Sequence, residues 1–169
     1  MTEITKENYM DQCYDVFRKF SRQCAVITAG TPERFNSMTI GWGMLGNVWG
    51  HAPGITVYVS PSRYTWEFME AHDAFTVCFF DPTHREDVMT LGTVSGREVD
   101  KIAKTSLTPV PVGDTVGFAQ AELTFLCRKV YGAQFDADRV PPSAREMYKR
   151  IRPHYEYIGL IEDAFGRLP

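Results

Sequence analysis

The 169-residue chain has no run approaching the roughly 18 apolar residues that a membrane-crossing helix needs, so no span is expected. Nor does it carry an excess of positive charge. Eighteen Lys and Arg stand against 21 Asp and Glu, a net charge of −3, which offers no basic face for nucleic acid. Cysteine is sparse and scattered. Cys13, Cys24, Cys78 and Cys127 form no CxxC pair and no zinc spacing, and His51, His72, His84 and His154 add no metal pattern to them. The N-terminus lacks a charged segment followed by an apolar one, so no disulfides are expected and the cytoplasm is the expected compartment. A glycine-rich phosphate turn between strand and helix is missing as well. The stretch 92–96 does not fit GxGxxG, which argues against a doubly wound dinucleotide-binding sheet. Neighbouring carboxylates such as Glu86 and Asp87 read as helix-surface charge, and no Ser-His-Asp or Cys-His set can be argued from chain order.

What is present is ordinary globular material of a length that fits one domain, expected to span residues 1–169. Tyr9, Cys13, Val16, Phe17 and Phe20 recur at three and four, which predicts an amphipathic helix over 5–21. Short apolar, β-branched or alternating runs predict strands over 23–29, 38–44, 55–59, 74–80, 119–131 and 155–161. Helices are expected over 65–71 with Thr65 as N-cap, and over 84–92, 98–103 and 141–151. Glycine and proline punctuation marks 46–54 and 109–113 as loops. Cys78, inside AFTVCFF, is expected to be a buried packing residue. Many short strands with helices at the periphery predict a mainly β, α+β fold: an antiparallel barrel with helical decoration.

Three segments carry residue types suited to a planar, phosphorylated ligand. Residues 36–43 (NSMTIGWG) offer short polar side chains, a thioether, an indole and glycines that allow close backbone approach. On residue types alone the plainer reading is a polar turn entering a strand, with Trp42 in the core. In 60–66 (SPSRYTW), Arg63 stands beside hydroxyls at an expected helix start, where a guanidinium fork and first-turn amides suit phosphate oxygens. A capping arrangement with a solvated Arg63 is the structural alternative. In 95–101 (SGREVDK), Lys101 is a candidate second cation behind a Ser-Gly turn, although the pattern also suits a loop entering an exposed helix.

Taken in order and spacing, NSMTIGWG, SPSRYTWEFM and VSGREVDK resemble the flavoredoxin and flavin reductase-like family. The resemblance covers residues 20–104 well and runs more loosely through AELTFLCRKVY and HYEYIGLI. It implies an FMN-binding split barrel, generally a homodimer. It places Asn36, Ser37, Met38 and Thr39 along the flavin and its ribityl chain, with Trp42 by the ring and Gly43 as a further cofactor-binding residue. Arg63, Tyr64 and Thr65 would hold the phosphate; Ser95, Gly96 and Lys101 would close the site. His154 matches a histidine that relatives place before their last barrel strand, but here it follows an unusual stretch, 141–152. Relatives often carry a Pro-Pro pair after the first motif, where this chain has His51-Ala52-Pro53-Gly54. The implied activity is transfer of electrons from NAD(P)H through the flavin to free flavin, oxygen or a partner protein, with no side chain required as acid or base. Two alternatives stay open: an electron carrier reduced by another protein, and a non-catalytic binding or interaction domain.

Overall fold

Two strands are buried on both faces, and they explain why the most continuous apolar runs of the sequence lie where they do. The computed structural model describes residues 2–168; positions 1 and 169, the ends of the expected domain, lie outside the described residues. β2 (Ala25–Thr31) and β6 (Ala74–Phe79) pair in the middle of the molecule. Their inward side chains, Ile27, Val77 and Phe79, join the main core with Phe125 and Tyr157. Their outward ones, Val26 and Cys78, join a second cluster with Val88, Leu91 and Phe118. Strands covered on both faces lose the usual polar alternation. Cys78 is fully buried, as its sequence context predicts.

The main sheet runs β3–β2–β6–β9–β10–β5–β4, and every pairing is antiparallel. Here β3 is Arg34–Ile40, β4 Gly43–Val48, β5 Ala52–Val59, β9 Leu123–Gln134 and β10 Tyr155–Leu168. The short β1 (Thr2–Ile4) adds to the far end of β10. β3 and β4 sit at opposite ends of the hydrogen-bonded order yet are joined by only Gly41 and Trp42. The sheet must therefore curl until its edges approach without pairing. This is an open, split barrel, and the Gly41–Trp42 corner lies at the split. The all-antiparallel pairing excludes a βαβ arrangement.

Helices α1 (Val16–Arg18), α2 (Tyr64–Ala71), α3 (Arg85–Thr93) and α4 (Pro142–Tyr148) decorate the sheet. The helix expected over 5–21 is broken into short turns. Gln12 is extended, and Asp15 caps a new start by accepting from the Arg18 amide at 3.0 Å. Tyr9 and Phe20 still reach the core, while Phe17 is left 89% exposed. The expected loop over 46–54 is a β4–β5 hairpin instead. Val48 pairs with Ala52 around Trp49 and Gly50, both at positive φ, and Pro53 is tolerated beside the edge strand β4. The expected loop over 109–113 is also part of a hairpin, β7 (Pro109–Val112) with β8 (Thr115–Phe118), a separate two-stranded ribbon that tolerates its prolines. The strand expected over 38–44 is divided by the corner into β3 and β4. In place of a helix over 98–103 there is an Asp100 turn, its Oδ1 accepting from the Ile102 and Ala103 amides at 3.1 and 3.2 Å, before a short 3₁₀ turn at Ile102–Lys104.

Candidate functional site

The three sequence segments meet in one groove on the β3 side of the split. β3 supplies Asn36 and Met38, the α2 start supplies Arg63 to Thr65, and the turn after α3 supplies Ser95 to Lys101. They enclose a cavity of about 100 Å³. A second cavity of about 150 Å³ adjoins it, sharing Met38 and Arg63, and is walled by Trp42, Tyr58, Ser60 and His154. Among the described residues, a larger hollow of about 470 Å³ on the Glu33 side adjoins the smaller cavity and shares Asn36, Tyr64, Gly96 and Lys101 with it, whereas another of about 560 Å³ between Phe17 and Arg85 contains none of these groups.

Lys101 is the most constrained member. It is 5% exposed, and its Nζ donates to the carbonyls of Leu91 at 3.0 Å and Val94 at 3.4 Å. It thus caps the C-terminal end of α3, where the helix dipole favours a cation. Two carbonyls leave one N–H of the ammonium for the cavity. Burial, and next the nearby Arg63, lower its pKa from 10.5 to about 8. Arg63 donates to the Gly92 carbonyl at 3.4 Å. Arg97 donates to the Ser62 carbonyl at 3.2 Å, pairs with Glu67 and lies 4.9 Å over the Tyr64 ring. All three cations line the smaller cavity, and no carboxylate does.

Asn36 is the keystone between β3 and α2. Its Nδ2 donates to Thr65 Oγ1 at 2.6 Å, and both residues are buried. Thr65 is therefore not the N-cap; Arg63 holds that position, and the Thr65 hydroxyl is occupied by Asn36. A β-carbon on Gly96 would lie 2.2 Å from Asn36 Oδ1, so only glycine lets this turn close over the asparagine.

Not every residue from the three segments turns into the groove. Alternation along β3 sends Ser37 and Thr39 to the opposite face. Ser37 Oγ is 2.8 Å from Thr28 Oγ1, and Thr39 Oγ1 donates to the Val88 carbonyl of α3. Thr39 still borders the wider cavity, whereas Ser37 borders the adjoining hollow on the Glu33 side. Gly43 packs against the Phe20 ring, which a β-carbon there would meet at 2.2 Å. Trp42 is 47% exposed at the corner, its ring 4.8 Å from that of His154. Burial, and then Arg63, hold His154 below the usual histidine range.

Arg97, Ser62 and Tyr58 also border the two cavities, although neither residue type nor spacing marks them in the sequence. Arg97 sits among alternating charges and reads as surface, although it stands one residue beyond the Ser-Gly turn. Among the described residues no group of three His, Cys, Asp or Glu side chains is placed to hold a metal.

An open antiparallel barrel with a cation-lined groove beside its split is the class of protein that fold and site define. The flavin reductase like domain model matches residues 17–137, and the chain belongs to that family. Among solved structures, flavoredoxin from Methanosarcina acetivorans is similar at a TM-score of 0.67 and 22% identity, covering 86% of this chain and 68% of that one. The FMN-binding protein from Thermus thermophilus gives 0.70 at 18% identity, covering 92% and 78%. An NADH:FAD oxidoreductase of Streptomyces globisporus gives 0.68 at 15% identity, covering 91% and 80%. No curated protein matches the chain significantly.

Proposed function

We propose that the groove holds FMN and that the protein is an oxidoreductase, taking electrons from NAD(P)H and passing them to free flavin, oxygen or a partner protein. The observation that carries this reading is the smaller cavity. Arg63 and the nearly buried Lys101 converge on it with no carboxylate in its lining, and Arg97, whose charge Glu67 already pairs, borders it as well. A cluster of like charges repels itself, and an anion is what relieves it. A phosphate suits that donor set, because guanidinium forks and first-turn amides of α2 address several oxygens at once.

Arg63, Arg97, Lys101 and the Ser62 and Ser95 hydroxyls would hold the phosphate. Asn36 and Gly96 would set the floor on which it lies, and Met38, Trp42, Tyr58 and His154 would border the ring. Ser37 and Gly43 would contribute through the β3 backbone and the Phe20 packing rather than by contact. When bound, the flavin would supply the hydride and electron chemistry; the chain supplies position and electrostatics. FAD is used by one structural relative, so FMN rather than FAD is part of the proposal. Homodimerisation and a cytoplasmic compartment also belong to the proposal. Four free cysteines fit a reducing compartment, and no helix of the described residues is long and apolar enough to cross a membrane.

Anaerobic mixing of the FMN-loaded protein with NADH or NADPH tests the reaction. Rapid loss of the flavin's visible absorbance is expected. Bleaching only by dithionite would replace the reductase with an electron carrier.

A further inference from the structure

Three aromatic rings wall the wider cavity, Trp42, Tyr58 and His154, and two more, Phe135 and Tyr148, back them; the five come from elements far apart in the chain. Trp42 meets the His154 ring at 4.8 Å and Tyr58 edge-on at 6.5 Å, and Tyr58 stacks on Phe135 at 5.4 Å. The fifth comes from α4, within the stretch between β9 and β10. Tyr148, its last residue, places its ring 5.9 Å from that of His154 and its Oη 3.4 Å from His154 Nδ1. The neck of this stretch is tied. The Phe135 amide donates to the His154 carbonyl and Gln134 Nε2 to the Pro153 carbonyl, both at 2.9 Å. With its backbone fixed, His154 has Trp42 and Tyr148 as ring neighbours.

Burial first and Arg63 second lower the His154 pKa and so favour the neutral ring, which carries a single N–H. Which nitrogen holds that proton follows from the partner of the other. A phenol donates more readily than it accepts, and the bare imidazole nitrogen is the stronger acceptor. The Tyr148 hydroxyl therefore donates to Nδ1, and the ring proton stays on Nε2.

We propose that Tyr148 is a positioning residue that holds neutral His154 with its proton on Nε2, making it an N–H donor toward the cavity beside Trp42. The ligand class this favours is a planar ring bearing a carbonyl-type oxygen. The flavin's own edge and a separate donor or acceptor molecule share that chemistry. The consequence for a ligand rests on the flavin reading; the tautomer is a property of the polypeptide alone.

Long-range proton–nitrogen correlation on histidine-labelled, flavin-free protein at pH 7.5 tests it, with His154→Gln to assign the signal. The wild type should show a single Nε2–H form with a hydrogen-bonded Nδ1. Tyr148→Phe keeps the ring packing and should move the Nδ1 resonance toward that of an unbonded nitrogen. An Nδ1–H or charged ring in the wild type, or an unchanged spectrum in Tyr148→Phe, overturns the proposal. In flavin-loaded protein, Tyr148→Phe should raise KM for a carbonyl-bearing substrate several-fold with a smaller change in kcat. Equal KM values would overturn the functional half. If flavin fails to bind while the resonance behaves as expected, the function reading falls and the positioning role stands.

Discussion

Replacing Lys101 with methionine removes the ammonium and little else. The group is 5% exposed, held by two carbonyls of the α3 end, and has its pKa lowered from 10.5 to about 8 by burial and then Arg63. That depression corresponds to at most about 3 kcal/mol, less whatever water reaching Nζ screens. In the unfolded chain the proton stays on until about pH 10.5, whereas the folded chain releases it from about pH 8. Stability contributed by this group therefore rises between those two values, and the penalty persists in full below them. A bound phosphate dianion reverses the imbalance by favouring the charged ammonium. Binding FMN should then draw in about a tenth of a proton at pH 7, about half at pH 8 and about nine-tenths at pH 9. Lys101→Met should abolish this uptake. It should also weaken FMN by roughly 10- to 100-fold, the loss of one charge-assisted hydrogen bond of about 1.5–3 kcal/mol. Calorimetry at pH 8 in buffers of different ionisation enthalpy reads both quantities. Heats independent of buffer, or a methionine variant binding as tightly as wild type, would refute the reasoning.

Two further substitutions separate the groove from its scaffold. Gly96→Ala puts a β-carbon 2.2 Å from Asn36 Oδ1, so Asn36 must turn and give up its bond to Thr65; FMN affinity should fall at least about tenfold in a fluorescence titration, with about 1–2 kcal/mol lost in stability. Glu122→Ala strips Lys19 of a partner at 2.9 Å in a pair whose side chains are 11% and 15% exposed, and Gln23 of an acceptor. Urea denaturation should show a loss of about 3 kcal/mol with FMN affinity unaltered, and a loss below about 1 kcal/mol would contradict the burial of that pair.

The sheet was most legible where burial left a simple signature. The continuous apolar run at 74–80 marks β6, a strand covered on both faces, and the alternation at 55–59 marks the part of β5 that pairs with β10. Legibility failed where tertiary contacts overrode local pattern. Tyr9 and Phe20 satisfy a helical period, yet each is fixed separately by the core, with Asp15 starting a new turn between them. Pro53 and Pro109 read as loop residues because a missing N–H normally ends a strand, but their hairpins have edges where none is needed. Within the candidate site, residue types revealed Arg63 and Lys101, while the β3 alternation that turns Ser37 and Thr39 away needed the register with β2. Arg97 became visible only through its contacts with Ser62, Glu67 and Tyr64. Tyr148 lies in the stretch where this chain departs from the family's pattern, so neither resemblance nor periodicity pointed to it.

Comparing FMN with riboflavin tests the central claim most directly, because the two differ only in the phosphate that Arg63, Arg97 and Lys101 are proposed to hold. Titration of flavin-free protein should show FMN binding with quenched fluorescence and riboflavin weaker by about a hundredfold or more, as expected for the loss of several charge-assisted contacts. Equal affinity for both, or no binding of either, would contradict the account.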